Sequence, residues 1–374
     1  MPNTHTKNEW RRVKFKDFVA LNRGFDLPIQ NRVTGKYPVI ASTSITDFHS
    51  DFKVKGPVVT TGRSGALGEV LYFDYESWPL NTTLYSKNFY GNDPKFVYYK
   101  LKTLDLAQYN SGSGVPTLNK NHLDTIEIKI PNLETQQKIA SVLSAYDDLI
   151  ENNNKRIKVL EQMAQKLYTE WFVNFKFPDH EKVKMVDSGN PDFGMVPEGW
   201  EVKKLSEISS FKKGKNITKN TITEGSIPVV AGGLEPAYFH NTPNASAPVL
   251  TISASGANSG FANIYFQNIW ASDCSYLNYK NTDYLFFIYT LLKVNQKKLF
   301  ELQRGSAQPH VYPKDIEGLK FVLPKDQKIL SDFEKISKDM YQGIRILKSK
   351  NQNLKSARDF LIPQLVGGKL LIKE

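Results

Sequence analysis

The sequence predicts an α+β fold built twice. Two tandem mixed α/β domains are each followed by a long helix, and the two helices pack as an antiparallel coiled coil with pseudo-two-fold symmetry. Three observations predict this. Gly35-Lys-Tyr-Pro-Val-Ile returns as Gly225-Ser-Ile-Pro-Val-Val, and Pro57-Val-Val-Thr-Thr-Gly-Arg-Ser-Gly-Ala returns as Pro248-Val-Leu-Thr-Ile-Ser-Ala-Ser-Gly-Ala. The offset between matched residues drifts only from 190 to 194 along the chain, so the repeated unit is a whole domain plus a connector. Each copy then changes character halfway, from Gly- and Pro-punctuated β-type runs to a Gly- and Pro-poor stretch with apolar residues three and four apart.

The first domain occupies residues 1–133. Its strand runs are Tyr37–Ile40, Val58–Thr61, Glu69–Phe73 and Thr125–Ile130, with an aromatic-rich helix over Lys95–Gln108. The central helix follows over 134–177, with no Gly or Pro from Glu134 to Phe175. Ile139, Leu143, Tyr146, Ile150, Ile157, Leu160, Ala164, Leu167 and Trp171 form its seam, broken by Asn153. At about 1.5 Å per residue it makes a rod of roughly 60 Å. The second domain, 178–325, repeats the strands as Ile227–Val230, Val249–Ser253, Ala262–Phe266 and Leu319–Val322, and the helix as Asp283–Leu299. The distal helix and tail take 326–374. Phe333, Met340, Leu347, Leu354 and Leu361 fall seven apart, and Ile329, Ile336 and Ile344 fill in between. Gly343, Lys350 and Asn351 interrupt this seam, and Ile362-Pro363 is expected to end it. Pairing of the two seams within one chain is the economical solution; the alternative is pairing of each with another chain.

Composition bounds the function. The chain has 374 residues, 40% hydrophobic and 23% charged, with room for two or three domains. The single Cys274 excludes a disulfide framework and a Cys-rich zinc site, and fits a cytoplasmic protein. The start lacks a signal-peptide core, and the longest apolar run is too short to span a membrane. The net charge of +11 divides as +5 over 1–133, 0 over 134–177, +2 over 178–325 and +4 over 326–374. That excess is compatible with a polyanionic partner.

No catalytic residue and no metal ligand set is assigned. Asn190-Pro-Asp-Phe193 resembles a methyltransferase motif but sits in the junction between repeats. Asp192, Glu201 and Lys203 mimic a metal-dependent nuclease across a turn-rich segment. The histidines at 5, 49, 122, 180, 240 and 310 lack metal-ligand spacing, and most read as ordinary surface or loop residues.

Four recurring loop positions suit DNA. A cation beside a glycine occurs at Arg23-Gly24 and at Lys213-Gly214. The stretch Lys203–Lys219, including Lys212, Lys213 and Lys215, holds six lysines against Glu207 alone. Glycine permits close approach to phosphate and the cation supplies attraction; the alternative is a solvated turn. Arg63-Ser64 corresponds to Ala254-Ser255, and an arginine can grip a guanine edge with two hydrogen bonds; the alternative is a plain hairpin turn. Asn81-Thr82 is aligned with Asp273-Cys274, following Trp78 and Trp270, which read as core. The loop Gly112-Ser-Gly-Val-Pro116 with Lys120 corresponds to Arg304-Gly-Ser-Ala-Gln-Pro309 with Lys314. These loops could track the backbone or merely turn the chain.

Taken with Pro131-Asn-Leu-Glu-Thr-Gln-Gln-Lys-Ile-Ala-Ser-Val-Leu143, Val196-Pro-Glu-Gly-Trp-Glu-Val202 and Leu361-Ile-Pro-Gln-Leu-Val-Gly-Gly-Lys-Leu370, the whole chain resembles the specificity subunit of type I restriction-modification systems. The resemblance implies a non-enzymatic reader of double-stranded DNA with two target recognition domains, 1–133 and 178–325. Each would read one half of a bipartite target. The helices would set the half-site spacing, roughly one DNA turn of about 34 Å. They would also dock two DNA adenine methyltransferase subunits, with motor-nuclease subunits joining for cleavage. No cofactor is expected on this chain; S-adenosylmethionine, ATP and Mg²⁺ belong to the partners. A coiled-coil scaffold with two ligand-binding domains and no DNA role is the competing reading.

Overall fold

A computed structural model describes residues 10–112, 114–305 and 308–372. The chain divides into two units, and each draws on both long helices: unit 1 is Met1–Asn152 with Lys350–Glu374, and unit 2 is Asn153–Ser349.

The short β-runs pair in the same way in both units, so the duplication extends to topology. In unit 1 a four-stranded antiparallel sheet has the order Ala20–Arg23, Thr83–Asn88, Val58–Gly62, Val70–Phe73. Its equivalent in unit 2 is Lys212–Lys213, Cys274–Leu277, Val249–Ser253, Ala262–Tyr265. A three-stranded sheet centres on Thr34–Ile40, flanked by Ile45–His49 and, in parallel, Trp78–Pro79. Ile227–Val230 lies likewise between Tyr238–His240 and Trp270–Ala271. A two-stranded ribbon closes each unit, Arg11–Lys14 with Glu127–Ile130 and Trp200–Lys204 with Lys320–Pro324. The strands of two residues carry too few residues to show alternation, so the sequence does not predict them. The junction after the central helix is a hairpin, Met185–Asp187 on Met195–Pro197, with Asn190-Pro-Asp-Phe193 at its turn.

The aromatic helices are shorter than expected and each ends in a second short helix: Pro94–Lys102 then Leu106–Tyr109, and Leu285–Val294 then Gln296–Glu301. In both units the first of these is anchored by a buried polar residue of a long helix. Gln136 accepts from the Asp93 N–H (3.0 Å) and donates to Asn92 (2.9 Å), while Asp93 caps Phe96 N–H (2.8 Å). In unit 2, Glu334 accepts from the Phe287 and Phe286 N–H groups (2.7 and 3.2 Å) and from the Tyr279 hydroxyl (2.9 Å). These N–H groups belong to a helix's first turn, which lacks internal partners.

The central helix runs Leu133–Tyr168 and ends in a π-turn, Thr169–Val173. Within unit 1, Ile139, Ala140 and Leu143 share a core with Ile362, Leu365 and Val366 of the distal helix. Arg358 pairs there with Asp147, which also takes the Tyr99 hydroxyl. Within unit 2, Tyr168, Trp171 and Phe172 pack around Phe333 and Phe287 with ring centroids 4.8–6.2 Å apart. Burying side chains of this size contributes about 2–3 kcal/mol each. Leu160 faces Gly343, so inside unit 2 contacts of rising number on one helix meet falling number on the other.

Two expectations for the distal helix are corrected. It does not end at Pro363 but runs Gln327–Val366 through it. Proline breaks one backbone bond, but burial of Ile362, Leu365 and Val366 holds the last turn, and Gly368 with φ of 73° closes it. The buried face is also wider than a heptad seam. Leu330, Phe333, Glu334, Ser337, Tyr341, Ile344 and Leu347 are buried, Met340, Leu354 and Leu361 are half-buried, and Ile336 is 37% exposed. A helix packed on a domain follows a period of 3.6 and buries a broad stripe. On the central helix Ile150 and Ile157 are buried, and Tyr146, Leu160 and Leu167 are half-buried.

Candidate nucleic-acid interface

In each unit the same five loops converge. In unit 1 they hold residues 23–26, 41–44, 62–66, 80–83, 110–112 and 114–118. Arg23 ends its strand opposite Leu84, and the Gly24 N–H donates to Thr83 O at 3.0 Å. The Arg63 N–H donates to Thr82 O at 2.8 Å, and Arg63 O accepts from Leu118 N–H at 2.8 Å. Ser64 bridges to Thr117, and Ser42 Oγ lies 2.9 Å from both the Ser64 and Thr82 carbonyls. The Arg63 guanidinium donates to Asn81 O at 3.1 Å, and the Asn81 amide donates to Asp26. Lys120 opens the short helix just beyond this cluster and pairs with Asp124 at 2.7 Å.

Unit 2 repeats the framework with other side chains. The Gly214 N–H donates to Cys274 O (2.8 Å), Lys215 N–H to Ala271 O (2.9 Å) and Val311 N–H to Ala254 O (2.9 Å). Ser255 bridges to His310, and its hydroxyl donates to Asp273. Arg304 exchanges backbone bonds with His310 and pairs with Asp315, which stands beside Lys314. Lys212, Lys213 and Lys215 are exposed along the edge. Thus Arg23, Gly24, Arg63, Ser64 and Asn81 come together in unit 1, and Lys213, Lys215, Ser255 and Arg304 in unit 2. Ser113, Ser306 and Ala307 of the small-residue loops lie outside the described residues.

The strand register corrects one alignment. Leu80 and Ser272 occupy the same place, because their N–H groups donate to Ile40 O and Val230 O, both at 2.8 Å. Thr83 and Cys274 also match, since Gly62 pairs with the one and Ser253 with the other. Between these points unit 1 has Asn81 and Thr82, whereas unit 2 has only Asp273. Cys274 therefore replaces Thr83, not Thr82, and its thiol is pushed up to about 12 by burial. A single deletion inside a loop leaves almost no trace in an ungapped comparison.

The glycines of the cation-glycine pairs serve the chain's own packing. A Cβ on Gly24 would sit 2.2 Å from Leu80 O, and one on Gly214 would sit 2.1 Å from Ser272 O. Two histidines set aside in the sequence are structural twins. His49 and His240 are buried and meet Trp78 and Trp270 edge-on at 5.1 and 4.9 Å. Their Nδ1 atoms lie 3.0 and 3.1 Å from the N–H groups of Val33 and Thr223, on the loops leading into the site. Their offset of 191, the same as for Ser64 and Ser255, was the available signal.

Glu201 is held by Lys203 (2.8 Å) and Lys325 (3.6 Å), which lower its pKa, and Asp192 lies in the junction hairpin. Among the described residues no group of three or more His, Cys, Asp or Glu could hold a metal ion, and no helix is long and apolar enough to cross a membrane.

Two copies of one loop framework that differ in the side chains at the tip define a duplicated recognition protein. The chain belongs to the type I restriction modification DNA specificity domain family, whose model matches residues 7–162 and 197–356. It is 29% identical over 352 residues to the type I restriction enzyme MjaIX specificity subunit of Methanocaldococcus jannaschii, covering 86% of this chain and 79% of that one. The MjaVIII specificity subunit of the same organism is 23% identical over 417 residues, covering 100% and 96%. The solved S subunit of a type I restriction-modification system from M. genitalium shares the fold, with a TM-score of 0.64 at 19% identity over 100% and 99% of the two chains.

Proposed function

We propose that this chain is the DNA-reading specificity subunit of a type I restriction-modification complex and itself performs no chemistry. Each loop cluster reads one half of a split, asymmetric target in double-stranded DNA. The two long helices pair as a coiled coil, fix the spacing between half-sites and dock two DNA adenine methyltransferase subunits, with motor-nuclease subunits joining for cleavage. S-adenosylmethionine, ATP and Mg²⁺ are bound by those cytoplasmic partners. The observation that carries the reading is the repetition of one backbone framework with non-equivalent tips, in a chain of this family.

Selection of duplexes from a random pool tests it. The enriched sequences should contain two short conserved blocks separated by a fixed, unspecified gap. Affinity should fall steeply with salt, the log–log slope counting phosphate contacts. Enrichment of one contiguous or palindromic block refutes two different readers, and binding indifferent to salt refutes the DNA role.

A further inference from the structure

The extra residue in unit 1 and the arginine of unit 1 belong together. Asn81 has no counterpart in unit 2, and its carbonyl is where the Arg63 guanidinium lands, at 3.1 Å. Unit 2 lacks that residue and has Ala254 in place of Arg63. It instead presents Asp273, whose carboxylate takes the Ser255 hydroxyl on the adjoining loop. We infer that Arg63, aimed by the Asn81 carbonyl, selects a guanine in the half-site read by unit 1, whereas Asp273 selects a base with an exocyclic amino group in the half-site read by unit 2.

The chemistry of the two groups separates their targets. A guanidinium carries five N–H donors, so one bond to Asn81 leaves enough for the O6 and N7 of guanine. Anchoring also removes rotamer freedom before DNA arrives, which turns a mobile phosphate-seeking charge into a directed one. An ionised carboxylate can only accept. Near phosphates it is repelled, and only a donor such as cytosine N4 or adenine N6 offsets that. Lys213 and Lys215, exposed on the neighbouring loop, supply the backbone attraction that a carboxylate cannot. Arg63 and Asp273 are both half-buried, on loops tied to their neighbours by backbone hydrogen bonds, and so keep part of each side chain open to a ligand.

This assignment rests on the DNA-reading function proposed above, and one experiment distinguishes the two. The chain is combined with the modification subunits of its own system, and methylated adenines are mapped at base resolution on genomic DNA. Arg63→Lys keeps the charge but loses the planar fork, and Arg63→Ala removes both. Each should reduce the preference for guanine at one position of one block by roughly tenfold to a hundredfold, with the other block unchanged. Asp273→Asn should alter one position of the other block alone. If Arg63→Lys leaves the motif intact, or if every variant lowers methylation at all sites equally, the assignment is overturned while the bipartite reader stands. If the unaltered complex yields no split motif, it is the DNA-reading function that fails.

Discussion

Replacing Glu334 with alanine tests whether unit 2 is held to the distal helix by one carboxylate. Glu334 is 7% exposed and accepts three hydrogen bonds, two of them from the first turn of Leu285–Val294. Tyr279 is 37% exposed and can turn to water, but Phe286 and Phe287 are fully buried, so their N–H groups would stay unpaired. Each unmet buried donor costs about 1–3 kcal/mol. Removing a buried carboxylate returns part of this, because burial raises the Glu334 pKa despite the opposing hydrogen bonds. The net loss should be about 2–4 kcal/mol, a drop of roughly 5–15 °C in Tm for a unit of this size. Urea or thermal unfolding followed by near-ultraviolet circular dichroism reads it through the stacked Phe286 and Tyr341 rings. Glu334→Gln keeps one acceptor and should lose about half as much. The pH dependence has a fixed sign. A folded pKa above the unfolded value means that the folded state holds the proton more tightly. Wild type should therefore gain stability relative to Glu334→Gln as pH falls from neutral through the raised pKa towards the ordinary carboxylate range. A Glu334→Ala protein within about 0.5 kcal/mol of wild type, or a difference of the opposite sign with pH, would refute this account.

Other substitutions probe the remaining joints. Gly343→Ala places its Cβ 3.4 Å from Leu160 Cδ1, an ordinary contact; helix propensity should then raise stability by about 0.5–1 kcal/mol in thermal melts. Arg358→Ala leaves Asp147 with only the Tyr99 hydroxyl and should destabilise unit 1 by about 1–3 kcal/mol in urea titrations. Gly24→Ala forces a methyl against the Leu80 carbonyl, so it should weaken DNA binding several-fold more than Arg23→Ala when both are measured by fluorescence anisotropy.

The duplication and the helical segments were legible because they rest on many residues: a framework of Gly, Pro and Trp, and apolar spacing sustained over five turns or more. What escaped notice rests on one or two. The missing partner of Asn81 changes the offset by one and is visible only once Gly62 and Ser253 fix the strand ends. Gln136 and Glu334 were not singled out in the sequence, because polar residues that anchor another helix carry no periodic signal. The histidine pair has no metal-ligand spacing, and only its repetition at an offset of 191 marks it in the sequence. Pro363 stays inside its helix because tertiary burial outweighs a local breaker, a contest that the local sequence does not record.

The division of each core between recognition strands and both helices has a consequence for how such proteins diversify. Exchange of residues 178–325 for those of another reader would leave Tyr168, Trp171, Phe172 and Phe333 behind, facing a foreign socket in place of Trp200 and Phe287. Recombination joints that fall within the helices, near residues 153 and 349, would carry the aromatic plug and its socket together. Inheritance of a new specificity is thus simplest when the crossover lies inside the two long helices and not at the edge of the strand-rich part.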